Sequence, residues 1–263
     1  MSARPEHEIS TGALPAGATS EQTAAANVQQ MFDTIAPTYD RANHTLSAGI
    51  DRYWWSRAAR TFRPILQRPE AVALDLCCGT GDMTLALLKH RPIDGPATKK
   101  SAPILAVDFS HQMLSRGAEK FRFHNIIPIE ADALHLPIAS NSVDLITSAF
   151  GFRNLANYEA GLAELHRILR PGGEIGILDC NQPEGLTAIL YNLYFKKILP
   201  RVGGLISGEA EAYTYLPSSV ERFPRPPRML QLIRAAGFVD ATWTSYTFGT
   251  AGLYRAVKLF GTT

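Results

Sequence analysis

Four consecutive residues, Gly79-Thr80-Gly81-Asp82, carry the densest chemistry in the sequence. They follow the apolar run Val72-Ala73-Leu74 and precede Met83, Leu85, Leu87 and Leu88, the apolar positions of a helix. Glycine has no Cβ and reaches positive φ at little cost, so a turn through Gly79 and Gly81 can bring main chain against a flat nucleoside. The following helix aims its N-terminus at the same place. A dinucleotide fingerprint, G-x-G-x-x-G, needs a third glycine that is missing here, and it would set a pyrophosphate where Asp82 stands. A carboxylate there repels phosphate but accepts hydrogen bonds from an ammonium group, such as the amino-acid end of S-adenosylmethionine. The turn thus points to S-adenosylmethionine over a dinucleotide.

Two more carboxylates end strands. Ile104-Leu105-Ala106-Val107 closes on Asp108, whose two oxygens can accept from both hydroxyls of a ribose. Ser110 is the better N-cap for the helix that carries Met113, Leu114, Ala118 and Phe121. A third strand, Ile126 to Glu130, leads to Asp132 and Ala133. There a short carboxylate can read an adenine amino group and a backbone N–H can bond a ring nitrogen; a plain turn aspartate is the competing reading. Cys77 and Cys78 read as small residues lining the turn, since no histidine adjoins them to activate a thiol.

These residues need a scaffold that lines up strand ends. A fourth strand, Val143 to Ser148, runs into the loop Phe150-Gly151-Phe152-Arg153-Asn154. A helix from Tyr158 to Leu169 follows, halted by Arg170-Pro171-Gly172-Gly173, and then a fifth strand, Glu174 to Leu178. This alternation predicts an α/β, doubly wound parallel sheet with its ligand crevice beyond the carboxyl ends of the strands. A helix from Arg228 to Ala236 precedes Val239 to Tyr246 and Leu253 to Phe260, which predict an antiparallel hairpin on the sheet edge. Residues 184–224, with Tyr191, Tyr194 and Phe195, read as a lid or substrate cap.

A length of 263 residues, 46% apolar, suits one large domain and is short for two. Residues 1–26, rich in Ala, Ser, Thr and Gly and without a signal-peptide core, read as a disordered arm before a single domain over 27–263. No window approaches the roughly 18 uninterrupted apolar residues of a membrane span, so any membrane contact is peripheral. A net charge of +2 is too mild to argue for nucleic acid. Three cysteines give neither a disulfide framework nor zinc spacing, and His44, His111 and His166 lack ligand spacing; no metal is expected, and reduced thiols suit the cytoplasm. Tyr53-Trp54-Trp55, flanked by Arg52 and Arg57, reads as a core cap, with a membrane interface at the inner face of the cytoplasmic membrane as the alternative. A homodimer is left open.

Over most of residues 31–260 the chain resembles the class I S-adenosylmethionine-dependent methyltransferases, and within them the C-methyltransferases of menaquinone and ubiquinone biosynthesis. The resemblance rests on Tyr39-Asp40-Arg41-Ala42-Asn43 with Leu46-Ser47 and Trp54, on Asp75 to Asp82, on Phe150 to Asn154, and on Arg167 to Gly173. It extends through Leu199-Pro200-Arg201-Val202-Gly203 and Tyr213-Thr214-Tyr215-Leu216 to Phe223-Pro224. Ala42, Asp51, Arg170, Asp179 and Asn181 depart from it, standing where the family usually has Met, His, Lys, Glu and Ser.

The resemblance implies a Rossmann-like fold, with a mostly parallel seven-stranded sheet and an antiparallel edge strand, and S-adenosylmethionine as methyl donor. It places donor contacts at Thr80, Asp108, Asp132 and Ala133; Asp75, Gly79, Gly81, Asp82, Phe109 and Ala149 complete the expected donor site. The acceptor it implies is a polyprenyl quinol. Demethylmenaquinol is preferred to a methoxy-benzoquinol, because Ala149 stands where benzoquinone-acting members often have Ser. A quinol carbon becomes nucleophilic when its hydroxyl loses a proton. Arg153 is accordingly expected to polarise the phenolate directly or through a water, Asn154 to orient the substrate, and Tyr39 to hydrogen-bond it; a structural ion pair is the competing reading of Arg153. From other classes, a dinucleotide oxidoreductase and a non-catalytic quinone-binding module stand as alternatives.

Overall fold

The computed structural model describes residues 12–15, 17–92, 101–185, 187–188 and 210–260. Its strands are β1 (Ala73–Leu76), β2 (Ile104–Asp108), β3 (Ile126–Glu130), β4 (Val143–Ala149), β5 (Leu169–Cys180), β6 (Phe238–Tyr246) and β7 (Ala251–Lys258). They form one seven-stranded sheet in the order β3-β2-β1-β4-β5-β7-β6. All four residues of β1 are buried, as expected of a central strand covered on both faces, and this is why it is apolar at every position but Asp75. β1 pairs in parallel with β2 on one side and β4 on the other. Strand order therefore reverses at β1, and Leu76 sits level with Val107 and Ser148. One residue further on, Cys77, Asp108 and Ala149 lie side by side at the switch point where α/β sheets bind ligands.

Helices α1 (Glu21–Ile35), α2 (Tyr39–Leu46), α3 (Ile50–Thr61) and α4 (Arg63–Leu66) precede the sheet. Helices α5 (Asp82–Leu88), α6 (His111–Phe121) and α7 (Tyr158–Ile168) make the crossovers, and α8 (Ala210–Arg222) and α9 (Pro226–Ala235) lead to the last hairpin. The expected Ser110 cap is present, its Oγ accepting from Met113 N–H at 3.1 Å.

Two expectations change. α1 begins at Glu21, inside the stretch assigned to the arm. Ser20 Oγ accepts from Thr23 N–H, Thr23 Oγ1 accepts from Ser20 N–H, and Ala24 and Val28 are buried. Strand β5 starts at Leu169 rather than Glu174, because a register shift against β4 absorbs Pro171-Gly172-Gly173 as an irregularity within the strand. The antiparallel hairpin expected at the sheet edge is present, with β7 antiparallel to both β5 and β6 and β6 outermost. Tyr191, Tyr194 and Phe195 of the expected lid lie outside the described residues.

Candidate functional site

The strand ends carry unusual backbone. Cys77 (φ 53°) and Phe150 (φ 59°) are non-glycine residues in the left-handed region, and they end β1 and β4 at one spot. A Cβ on Gly151 would come within 2.3 Å of Cys77 Cβ, so only glycine lets the two loops meet. Such conformations persist where surrounding structure enforces them, and they cluster at functional sites. Gly79, at φ 56°, turns the chain so that its N–H donates to Asp108 Oδ2 at 2.8 Å, while Ser110 N–H donates to Oδ1 at 2.9 Å. Asp108 is buried, and burial pushes its carboxyl up to about 6 against the pull of those N–H groups.

Two adjoining cavities open here. The smaller, about 60 Å³, is lined by Asp108, Phe109, Asp132, Ala133 and Asn154 together with Ala25 and Phe32 of α1. The larger, about 450 Å³, is lined by Asp51, Trp54, Trp55, Thr80, Asp82 and Arg153, among others. Tyr39, Cys77, Gly79, Ala149 and Phe150 belong to both walls. Helix α1 crosses the smaller cavity: Gln29 Nε2 donates to the Phe109 carbonyl at 2.6 Å, and Asp33 Oδ1 accepts from Ser110 Oγ at 2.5 Å.

Most sequence-predicted residues therefore gather; Gly81 does not, and Asp75 lines the larger cavity while its oxygens are taken up within the fold. Gly81 lines neither cavity; it has φ 89°, and a Cβ there would overlap the Phe121 ring at 2.2 Å. Its lack of a side chain serves packing against α6. Asp75 is fully buried, with Oδ2 accepting from Thr84 Oγ1 at 2.7 Å and Oδ1 from Thr147 Oγ1 at 2.9 Å. It stitches β1 to α5 and β4, and burial pushes its carboxyl up to about 7. Asp132 holds the turn of the competing reading, Oδ1 accepting from Leu134 N–H at 2.9 Å, while also lining the smaller cavity.

Arg153 is buried in an ion pair. Its Nη1 donates to Asp179 Oδ1 at 2.8 Å and to the Phe150 carbonyl, and its Nε to Ser219 Oγ at 3.3 Å. Burial works against its charge, but the Asp179 carboxylate outweighs this and holds the guanidinium above its ordinary pKa. The structural ion pair is thus present, and Arg153 remains a fixed cation in the cavity wall. Asn154 Oδ1 accepts from Tyr215 O–H at 3.1 Å. Tyr39 opens α2, and burial pushes its phenol up to about 12, with Arg153 pulling the other way.

Sequence reasoning missed a charge network that fastens α2 down. Lys120 of α6 bonds Asp40 Oδ2 at 2.7 Å, Asp82 Oδ1 at 3.2 Å and Thr80 Oγ1 at 3.1 Å, and Thr80 Oγ1 donates to Asp40 Oδ1 at 2.5 Å. Burial would raise the Asp40 carboxyl, but the Lys120 and Thr80 bonds win and hold it below the usual range. Asp82 thus already receives an ammonium, that of Lys120. His44 Nδ1 lies 2.8 Å from Asp51 Oδ2, and its Nε2 3.9 Å from Asp82 Oδ2. Trp54 and Trp55 line the larger cavity and pack on Phe150, and Trp54 Nε1 donates to Thr247 Oγ1 at 2.8 Å. Tyr53, by contrast, is exposed.

Residues 19–258 match the ubiE/COQ5 methyltransferase family. A demethylmenaquinone methyltransferase of Deinococcus radiodurans is 42% identical over 239 residues, covering 88% of this chain and 92% of that protein. One from Thermus thermophilus is 40% identical over 227 residues, covering 85% and 98%. Among solved structures, an S-adenosylmethionine-dependent methyltransferase from Thermotoga maritima aligns with a TM-score of 0.59 at 17% identity, covering 87% of this chain and 98% of that one; this likeness bears on the fold alone.

Proposed function

Because the chain belongs to the ubiE/COQ5 methyltransferase family, we propose that it moves a methyl group from S-adenosylmethionine to a ring carbon of demethylmenaquinol. The observation that carries this reading is the buried Asp108 carboxylate at the switch point, beside the Gly79 turn, where one cavity opens into another. Each Asp108 oxygen accepts a backbone N–H and keeps lone-pair capacity for a ribose hydroxyl. Asp132 and Ala133 stand where an adenine edge would be read, with Phe109 and Ala149 as walls. Gly79, Thr80 and Asp82 face the amino-acid end of the donor. The donor supplies a methyl on a positive sulfur, so charge disappears during transfer and a dry, apolar setting favours it.

The larger cavity supplies that setting through Trp54, Trp55, Phe150, Leu46 and Ile50. Tyr39, protonated throughout the neutral range, presents an O–H to a quinol oxygen from the wall shared by both cavities. Arg153, immobilised by Asp179, puts a fixed positive field beside the acceptor and so favours its phenolate. Asn154 positions Tyr215 of α8. Both named relatives act on demethylmenaquinone, which favours a naphthoquinol over a methoxy-benzoquinol. Such an acceptor carries an isoprenoid tail that lives in a bilayer. Among the described residues no helix is long and apolar enough to cross a membrane. A peripheral contact through exposed Tyr53 and Phe248, with Arg57 and Arg60 exposed on the same face of the molecule as Tyr53, brings the acceptor to the site.

The test is direct. Purified protein, given S-adenosylmethionine and a reduced short-tail demethylmenaquinol, yields by mass spectrometry a quinol heavier by one methylene unit. Absence of that product, or failure of the donor to bind, defeats the reading.

A further inference from the structure

Carbon methylation of a quinol releases a proton, and the residues lining the larger cavity differ in their ability to take it. Arg153 is a cation pinned by Asp179. The Tyr39 phenol and the Cys77 and Cys78 thiols are held protonated by burial. Asp75 spends both oxygens on threonine hydroxyls, and Asp82 receives the ammonium of Lys120. Asp51 differs from all of these. Asp51 as a residue is 5% exposed, yet it stands in the cavity wall beside Trp54, Trp55 and Ile50. Oδ1 accepts from Arg52 N–H at 2.7 Å, and Oδ2 faces His44 Nδ1 at 2.8 Å. A carboxylate only accepts, so Nδ1 carries the imidazole proton and Nε2 is the free, basic nitrogen.

Resting on the quinol-methylation reading, we propose that Asp51 is the catalytic proton acceptor for the quinol hydroxyl and that His44 is the residue that positions it. The O–H bond breaks toward Asp51, and its electron pair moves into the ring. The ring carbon bonds the methyl as the carbon–sulfur pair withdraws onto sulfur, leaving a neutral thioether. Loss of the ring hydrogen as a proton and return of one proton to oxygen restore the aromatic quinol, so one proton leaves per turnover. The Nδ1–H of His44 holds Oδ2 in place throughout, and Asp51 gives its proton to water that enters the cavity as product leaves, which restores the carboxylate. The charges around His44 are Asp51 of α3, Asp82 of α5 and, on its own helix, Asp40, the last two shared with Lys120 of α6; the edge of Trp55 packs on the ring. The donor half of the site uses none of Asp51's atoms.

Asp51→Asn is therefore expected to lower kcat on the order of 100-fold or more, within the range of a lost general base. S-adenosylmethionine Kd, read by calorimetry, should stay near the wild-type value. Asp51→Ala should regain rate with added acetate, and His44→Gln should shift the acid limb of the kcat–pH profile while Asp51→Glu retains part of the activity. Unchanged kcat in Asp51→Asn overturns the proposal. Should that variant fail to bind donor or to fold, acetate rescue of Asp51→Ala and the His44→Gln profile decide, and absence of both effects overturns it equally. A wild-type protein that methylates no quinol would instead defeat the function on which this rests.

Discussion

The two cavities share a wall but are built in opposite ways. Around the smaller one the chain presents strand ends and main-chain groups: the Gly79 and Ser110 N–H groups, the Asp108 carboxylate they fix, and the turn at Asp132 and Ala133. Around the larger one it presents side chains from α2 and α3, tied down by Lys120, Asp40, Asp82, His44 and Asp51. A rigid sheet sets the first, and electrostatic tethers between helices set the second. One half should therefore answer to changes in backbone geometry and the other to charge, salt and pH.

The largest effect should come from Asp108→Ala, which leaves two inward N–H groups without their acceptor and removes the ribose partner. Donor Kd measured by calorimetry is expected to rise by about 100-fold, the scale of two charge-assisted hydrogen bonds. Lys120→Met should raise it far less, and equal losses would erase the contrast between the halves. Next is Gly81→Ala, which drives a Cβ into the Phe121 ring at a positive φ. It is expected to cost about 2–3 kcal/mol and several degrees of Tm, from overpacking plus backbone strain. Pairing it with Phe121→Ala should recover part of that loss; additive losses would return Gly81 to the ligand side.

A further contrast lies in pH. Burial lifts Asp75 to about 7 and Asp108 to about 6, well above their unfolded values near 3.8. At these two sites the folded chain holds protons that the unfolded chain releases, so their contribution to stability falls as pH rises from about 4 to about 7, while His90 and His166, whose burial holds them below the usual imidazole range, contribute in the opposite sense. Asp75→Asn should flatten that slope in urea-unfolding midpoints, and an unchanged slope would remove Asp75 as its source. The smallest effect belongs to Lys120→Met, whose two carboxylate partners are partly exposed. It is expected to cost about 1 kcal/mol, shrinking as salt is raised. A salt-independent loss would mean that Lys120 acts through packing.

The sheet was legible because buried parallel strands announce themselves as short apolar runs. β3 and the Ser110 cap fell where the pattern put them, and Asp108 was found because a strand end is a fixed place in this architecture. Gly81 was misread because a glycine signals that something approaches closely without saying whether it is a ligand or Phe121. That both Asp75 oxygens go to threonine hydroxyls was not legible, because Thr84 and Thr147 are distant in sequence and only packing brings them together. Lys120, His44 and Asp51 were opaque for another reason. Charged residues on helices ordinarily form a solvated face, and only the packing of α2 against α3, α5 and α6 turns these into a network. The end of the supposed arm did carry a signal: Ala24, Val28, Met31 and Ile35 recur at helical spacing, masked by small residues between them.

That same helix has a bearing on tempo. Ala25 and Phe32 wall the smaller cavity, Gln29 grips the Phe109 carbonyl, and Asp33 grips Ser110. A spent nucleoside leaving its berth has α1 overhead, so egress is bound up with unlatching those two grips. With the donor in that berth, α1 is expected to pace the departure of product, and a fall of kcat with solvent viscosity is the measurement that would register it.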